Sequence, residues 1–593
     1  MIRLTGAEAL VRVLAAERVP FAFGIVGGKL APLMHALSRQ DAVRFVGVRH
    51  EATGPMMAAA VHAGSGRMAV ALGEMGPGAL NLASGMGVAL NNNLPLLAIT
   101  TNQHRAAAYP HSGMFMDLDT RAVFAPLTRW NVVVHDPRRI PELARRAFRE
   151  ALSGRPGPVH LDIPQDVLAA PTDYADDEFD LAPSRYRATL GPRPARALVE
   201  QAVALLRSAR RPLIVAGGGV VASGAADAVR RIARRLGAPV VPTQMALGVV
   251  ASDSPHFIGH GGLIAGEAVR AAFDAADVIL GVGCRYSSWM WDERGPYARR
   301  HHRTIGINVD PSALGHPALH EVAMQADAGF ALADLLDALG EGSAAEGAGE
   351  GAEPGWLGRC RAVRAGHEAT LAAMAAERTP VMHPAALAQA VAAALPADAL
   401  VVFDGGHTTF WSNDLTPVAE VRTRFHEPGM SHLGFGLPCG IALKLQHPQR
   451  PVLNITGDGS FGFTLNELDT ARRAGAPVVT VIHNNEAWGI IRAGQKAQLG
   501  FEFGTGLEGT DHAAIARGFG CFGERVDRVE DVAPALARAF ASGLPAVLDC
   551  RTRFVPHPAG PLFGAMNRFG FDALARADAP STHPVPPDKD TTP

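Results

Sequence analysis

Short apolar or β-branched runs that end in a glycine turn and pass into a helical pattern recur from one end of this chain to the other. The first third contains "FAFGIVGGKLAPLMHAL", "VRFVGV", "RMAVAL", "LPLLAIT" and "GPVHLDI". The middle contains "PLIVAGGG", "APVVPT", "DVILGVG" and "RTIGINVD", and the last third "ALVVFDGG", "VLNI" and "VVTVI". A run that is apolar on both faces must be covered on both, and the intervening helices supply the cover. The pattern predicts an α/β chain built on mostly parallel sheets. A chain of 593 residues has room for about three or four domains.

Breaks in the pattern divide it into a unit over 1–178, a second over 194–340 and a third over 379–555. Between the first two lies "DYADDEFDLAPSRYRATLGPRPA", acidic, then proline-rich, without periodicity. The span 341–378 reads as a linker, opening on the low-complexity stretch "EGSAAEGAGEGAEPG". The tail 556–593 ends in "STHPVPPDKDTTP" and is expected to be disordered. The first and third units start alike, "FAFGIVGGKLAPLMHAL" against "LVVFDGGHTTFWSNDL", a faint internal repeat.

With 48% apolar residues, 19% charged residues and a net charge of −2, this is the composition of a globular protein. Neither a nucleic-acid nor an acidic-membrane partner is expected, and the run Arg299-Arg300-His301-His302-Arg303 reads as a solvated face. The five cysteines are scattered and never in CxxC spacing, which fits a reducing compartment and offers no zinc site. "MIRLTGAEALVRVLAAE" lacks a signal peptide's apolar stretch, and Thr5 with Glu8 reads as a helix capping box. No run of apolar residues is long enough to span a bilayer, so a cytoplasmic protein is expected.

Chemistry concentrates in "TGDGSFGF", residues 456–463. Asp458 stands at a strand end between Gly457 and Gly459, which let the backbone approach a ligand. Ser460 then opens a helix with Phe461, Leu465 and Leu468 on its apolar side, stopped by Gly475. A helix N-terminus there suits a phosphate. After Pro477, "VVTVI" runs into His483-Asn484-Asn485, and neighbouring parallel strands would bring Asp458 and Asn485 out side by side. A carboxylate, an amide oxygen, a backbone carbonyl and phosphate oxygens form a hard oxygen shell for Mg²⁺ or Ca²⁺. A tight turn and an unrelated Asn-Asn turn would leave the same letters, but not the helix and strand in this order.

"GDGS…HNNEAWG" resembles the diphosphate–magnesium motif of the thiamine-diphosphate enzymes of the acetolactate synthase type. Further stretches match that family in order: "FGIVGGKLAPL", "VRHEATGPMMAAA", "MGPGALNLASGMGVALNNNLPLLAIT", "SGRPGPVHLDIPQDV" and "GMSHLGFGLPCGIAL". The resemblance implies three doubly wound parallel-sheet domains: pyrimidine-binding, central Rossmann-like and diphosphate-binding. It also implies a homodimer or homotetramer with each active site between two subunits.

By the same resemblance, Asp458, Asn485 and the carbonyl of Ala487 would hold Mg²⁺. Gly457, Gly459, Ser460, Gly489 and Ile490 would line the diphosphate, with Gly406, His407 and Thr408 reaching it from the preceding strand end. Leu433 would sit beneath the bent cofactor, the Ser431 carbonyl would meet the aminopyrimidine, and Gly28 belongs to the first glycine turn. Glu51 occupies the position of the cofactor-activating glutamate. A carboxyl group that shares a proton with a pyrimidine nitrogen makes the exocyclic amine basic enough to deprotonate the thiazolium carbon. That carbon adds to a carbonyl, and the ring takes up the electron pair when a neighbouring C–C bond breaks.

Departures from the family bear on the substrate. Lys29 stands where acetolactate synthases carry a small residue, a position that can hold a polar, substrate-directed residue in benzaldehyde-lyase-like members. An ammonium beside a thiazolium calls for an anion, so Lys29 is expected to meet a substrate carboxylate or an oxyanion. The family's Phe-Gln-Glu reads Phe115-Met116-Asp117, the serine of "SGPG" is Met75, and the "GQH" turn reads Gly405-Gly406-His407. The "GANT" motif of enzymes acting on CoA esters is absent. His104 and His111 lie on a loop from which they could move protons. "AGGGVVASG" and Asp310 in the central unit could bind an adenine nucleotide, and FAD is possible there.

The candidate catalytic groups are Glu51, Lys29, His407 and His111. The expected activity is decarboxylation or carboligation of 2-oxo acids, with cleavage of 2-hydroxy ketones as the alternative. A nucleotide-binding oxidoreductase and a non-catalytic cofactor-binding relative are the readings from other classes.

Overall fold

The computed structural model describes residues 1–108, 111, 113–262, 265–287, 290, 302–315, 319–340 and 355–558. The low-complexity opening of the expected linker, the tail from 559 and residues 299–301 of the basic run lie outside the described residues.

Three parallel sheets carry the chain. In the first, the strands lie in the order Arg44–Gly47, Phe21–Gly24, Val70–Gly73, Leu97–Asn102, Val159–Pro164, Trp130–Val133. In the third, the order is Arg424–His426, Leu400–Phe403, Val452–Gly457, Val479–Asn484, Ala546–Arg551, Phe522–Val526. Numbered within their units, both sheets run 2-1-3-4-6-5, so the repeat glimpsed at the two strand–glycine–helix starts extends through both whole domains. The central sheet, from Pro212–Ala216 to Val322–Gln325, runs 2-1-3-4-5. A separate antiparallel pair joins Ile2–Thr5 to Pro171–Tyr174 and closes the first unit on itself.

Every strand quoted from the sequence is present. The strands that sequence reading did not single out are mostly sheet edges, Trp130–Val133, Val322–Gln325, Arg424–His426 and Phe522–Val526. Edge strands are half-exposed, so they lack the continuous apolar run that marks a central strand. The capping box at Thr5 and Glu8 forms with both reciprocal hydrogen bonds.

Two segments differ from expectation. The helix after the GDGS turn begins at Asp458, not Ser460, and is split into Asp458–Gly462 and Glu467–Ala474, the second ending at left-handed Gly475. The span expected as a linker carries the helix Trp356–Ala375. Only Trp356, Cys360, Leu371 and Ala375 of that helix are buried, so its apolar stripe is too sparse to stand out in sequence. Trp356 nevertheless anchors it to the central sheet, its indole N–H donating to the Pro212 carbonyl at 2.9 Å.

The outer domains share one core. Helix Thr53–Ser65 lies on helix Gly436–Gln446, so closely that a Cβ on Gly64 would stand 2.8 Å from Leu443 Cδ2. A glycine at this crossing lets the two backbones approach. Residues of both domains, from Phe23 and Met57 to Leu443 and Ile482, form a single apolar cluster. The two strand systems are therefore held in one fixed relationship.

Candidate active site

In a doubly wound sheet, ligands bind where the strand order reverses, beyond the carboxyl ends of the strands. In the third sheet that point lies between Leu400–Phe403 and Val452–Gly457. Gly405, Gly406 and His407 leave the first strand, Asp458 leaves the second, and Asn485 follows the next strand along. The glycines bring backbone close to neighbours. A Cβ on Gly406 would lie 2.8 Å from Ile490 Cγ2, and one on Gly459 2.5 Å from Trp488 Cζ3. A Cβ on Gly457 would lie 3.1 Å from Thr408 Oγ1, and one on Gly489 3.1 Å from Asn485 Nδ2 and 3.4 Å from His407 Nδ1. Folding thus gathers Gly406, His407, Thr408, Gly457, Asp458, Gly459, Asn485, Gly489 and Ile490 at one place.

Several polar atoms of this group are buried without a hydrogen-bond partner. Asp458 is 6% exposed and accepts the Ala487 N–H at 3.1 Å, and among the described residues it has no ion pair. Burial pushes its carboxyl up to about 6. Asn485 Oδ1 and both ring nitrogens of His407 are buried without a hydrogen-bond partner. Burial also holds His407 down to about 4, so the ring is neutral near pH 7. Unpaired buried polar groups are costly, and a buried carboxylate beside an orphaned amide oxygen is the donor set of a hard divalent cation. The residues therefore fit Mg²⁺ and a diphosphate.

Three residues of this site escaped the sequence reading. Asp404, at the end of Leu400–Phe403, accepts from Ser460 Oγ at 2.7 Å, Gly436 N at 3.1 Å and Thr456 Oγ1 at 3.2 Å. Ser460 Oγ in turn accepts the Gly434 N–H at 2.9 Å. The Ser460 hydroxyl therefore ties the turn to the segment carrying Ser431 and Leu433. Glu427 grips the same segment, accepting from Met430 N at 2.6 Å, His432 N at 2.7 Å and the Asn92 side chain. Between those two N–H groups Ser431 is left-handed, with φ of 52°, a conformation a non-glycine residue keeps only when its neighbours impose it. Phe554 stacks on His407 at 5.9 Å. Asp404 carried the signal that flagged Asp458, an acid at a strand end, whereas Glu427 follows a strand that was itself unrecognised and Phe554 has no signal.

The first sheet presents the remaining candidates. Glu51 is 9% exposed, and Asn81 Nδ2 donates to its Oε2 at 3.0 Å. Glu74, at the end of Val70–Gly73, accepts the backbone N–H groups of Lys29 and Leu30 at 3.1 and 3.3 Å and fills the space beside Gly27. A Cβ on Gly78 would stand 3.2 Å from both Glu51 Oε1 and Glu74 Cβ, so the Lys29 turn and Glu51 flank one spot. Lys29 Nζ donates to Gln165 Oε1 at 3.0 Å, and Gly28 is exposed with open space where a side chain would be. His111 Nδ1 lies 2.6 Å from Asp117 Oδ1, closing its own loop, and His104 is exposed. Among the described residues no hydrogen bond or ion pair joins Glu51, Lys29 or His111 to the Asp458 group.

In the central domain, Gly217 N donates to Val282 O at 2.8 Å and Gly219 N to Gly283 O at 3.1 Å. A Cβ on Gly217 would stand 2.2 Å from the Gly283 carbonyl oxygen. These amides of the glycine turn are spent on the adjacent strand end, and Asp310 caps Ser312. The turn gives FAD no support. No helix among the described residues is long and apolar enough to cross a membrane.

Three family models match along the chain. They are the thiamine pyrophosphate enzyme N-terminal TPP binding domain over 4–123, its central domain over 199–336 and its C-terminal TPP binding domain over 404–550. "Probable 2-ketoarginine decarboxylase AruI" of Pseudomonas aeruginosa is 34% identical over 87% of this chain and 89% of its own. "Acetolactate synthase isozyme 1 large subunit" of Escherichia coli is 30% identical over 85% of each chain. "Glyoxylate carboligase" of Escherichia coli is 28% identical over 91% of each.

Proposed function

Because the chain belongs to the thiamine pyrophosphate enzymes, we propose that it uses thiamine diphosphate and Mg²⁺ to break or form a C–C bond beside the carbonyl of a 2-oxo acid. The observation that carries this reading is the buried Asp458 carboxylate, without an ion-pair partner among the described residues, gathered at one set of strand ends with the partnerless Asn485 oxygen and His407 ring. Asp458, Asn485 and the Ala487 carbonyl would hold the metal, and the glycine turns would admit the diphosphate. When bound, the cofactor supplies an acidic ring carbon and an electron sink.

The chain's own groups do the rest. Glu51, held by the Asn81 amide, would take up or release a proton where the pyrimidine ring would bind. Neutral His407 receives or returns a proton near the diphosphate end. Lys29, whose ammonium meets the neutral Gln165 amide, binds an anionic group of the substrate. A homodimer or larger homo-oligomer, in which one subunit's Glu51 serves its partner's cofactor, is the arrangement that the family resemblance implies.

Met116 in place of the family glutamine speaks for decarboxylation over acetolactate synthesis. A polar Lys29 at the first turn also suits a lyase acting on 2-hydroxy ketones. The test is incubation with thiamine diphosphate, Mg²⁺ and, in turn, pyruvate, 2-ketoarginine, 2-oxoglutarate and a 2-hydroxy ketone. CO₂ release and product NMR are followed against a Glu51→Gln control. Glu51-dependent CO₂ release upholds the reading, turnover of the hydroxy ketone alone moves it to the lyase, and turnover that survives Glu51→Gln refutes it.

A further inference from the structure

Glu51 stands just before the helix Thr53–Ser65, and that helix has no cap of its own. Its N-cap residue is Ala52, which has no side-chain acceptor, and its first turn holds no acidic residue. The first N–H groups of a helix need acceptors, and the positive end of its dipole favours a carboxylate. The Thr53 and Gly54 N–H groups turn back to the His50 and Glu51 carbonyls at 3.1 and 2.9 Å, and the other domain supplies a carboxylate to the turn just before the helix. Glu467, the first residue of helix Glu467–Ala474, is fully buried, and its carboxylate accepts Arg49 N at 3.0 Å, His50 N at 3.1 Å and Thr53 Oγ1 at 3.0 Å. These three donors bracket Glu51 on both sides.

The rest of the Glu467 helix follows the same segment. Arg473 donates to the Gly47 carbonyl at 2.8 Å, and Asp469 lies 3.8 Å from the Arg49 guanidinium. We infer that Glu467 is a positioning residue for Glu51, an acceptor lent by the diphosphate domain to the Arg49–Thr53 turn that sets where the activating carboxylate of the pyrimidine domain points. Helix Asp458–Gly462 leads into the Glu467 helix through a short turn, so the Asp458 turn and the Glu467 acceptor belong to one continuous stretch. A buried carboxylate is expensive to desolvate, and burial does raise its proton affinity. Three convergent donors, two of them backbone, offset that cost only while the Arg49–Thr53 turn keeps this shape, so the interaction selects one geometry.

The inference rests on the reading of Glu51 as the cofactor-activating group. It is tested by the exchange rate of the thiazolium C2 proton of thiamine diphosphate in D₂O at saturating cofactor and Mg²⁺. Amide exchange over residues 47–54 of the cofactor-free protein is followed in parallel. Glu467→Ala is expected to slow C2 exchange tenfold or more and to deprotect the 47–54 amides. Glu467→Gln, which keeps an acceptor oxygen and the size, is expected to restore most of both, and Thr53→Val to give an intermediate loss. C2 exchange at the wild-type rate in Glu467→Ala overturns the inference, as does equal loss in the Ala and Gln variants, which would assign the effect to charge. If Glu467→Ala does not fold, a wild-type rate in Thr53→Val overturns it. Undiminished exchange in Glu51→Gln would instead show that the reading of Glu51 has failed, and the positioning role with it.

Discussion

Ala487 donates its backbone N–H to Asp458 Oδ2 at 3.1 Å. The contact ties the loop after strand Val479–Asn484 to the end of strand Val452–Gly457, and the buried carboxylate is met by backbone N–H groups and by no ion-pair partner among the described residues. Burial raises this carboxyl, so a positive charge brought to it would be stabilising.

Binding of thiamine diphosphate with Mg²⁺ should therefore stabilise the fold measurably. At a hundredfold excess over Kd the linkage is about 2.7 kcal/mol. For domains of this size that raises Tm by about 5–10 °C. Asp458→Asn, or removal of the metal with EDTA, is expected to abolish the shift in thermal denaturation, and a shift that persists in both would remove Asp458 from the metal site.

Glu51→Gln should lower kcat by about 10²–10⁴-fold, the range for loss of a general acid–base group, with little change in cofactor affinity. Asn81→Ala removes the hydrogen bond that aims Glu51, and a bond to a charged group is worth about 1.5–3 kcal/mol. A fall in kcat of roughly ten- to a hundredfold is expected for it. Steady-state kinetics with titrated cofactor distinguish this from weakened binding, which would point to a different role.

Lys29→Met should raise KM for an anionic substrate by about 10–100-fold, corresponding to one lost charge-assisted hydrogen bond. The pairing of its ammonium with the neutral Gln165 amide leaves its charge for the substrate. Unchanged KM and kcat on every substrate turned over would eliminate Lys29 as a substrate contact.

Gly406→Ala would place a Cβ 2.8 Å from Ile490 Cγ2. Overpacking of this kind costs about 1–3 kcal/mol, and the displaced Ile490 belongs to the diphosphate cradle. A lower Tm together with weaker thiamine diphosphate binding by fluorescence titration is expected. Wild-type affinity would show that the cradle tolerates the shift.

Burial pushes the Glu427 carboxyl up to about 7, with buried Asp404 acting in the same direction. The folded chain thus keeps a proton that the unfolded chain has released, so this group's contribution to stability is lost as pH rises from about 4.5 through about 7. The Tm of the wild type relative to Glu427→Gln is expected to fall between about pH 5 and about pH 8, by the equivalent of about 1–3 kcal/mol. Parallel curves would mean that Glu427 is ionised throughout and fully paid for by the Met430, His432 and Asn92 donors.

Much of the site was legible because its pieces are local. Asp458 between its glycines, and Asn485 after the next strand, could be placed side by side from strand order alone, since neighbouring parallel strands deliver their ends to one rim. Asp404, an acid at the end of the neighbouring strand, carries the same local signal. Glu427 does not, because the edge strand before it, Arg424–His426, is too short and too exposed to announce itself. The split of the Asp458 helix was missed because its apolar spacing, Phe461, Leu465, Leu468, reads through the break.

The central strands, the α/β alternation and the glycine turn at Asp458 follow from the sequence by itself, because burial on both faces and close backbone approach demand particular residues at particular spacings. The tertiary structure alone decided which distant groups meet: Phe554 on His407, Glu74 under the Lys29 turn, and Glu467 across the domain boundary at the turn that carries Glu51. Those contacts join residues tens to hundreds of positions apart. They depend on how two sheets of the same 2-1-3-4-6-5 order are packed through one shared core, and no local pattern encodes that packing.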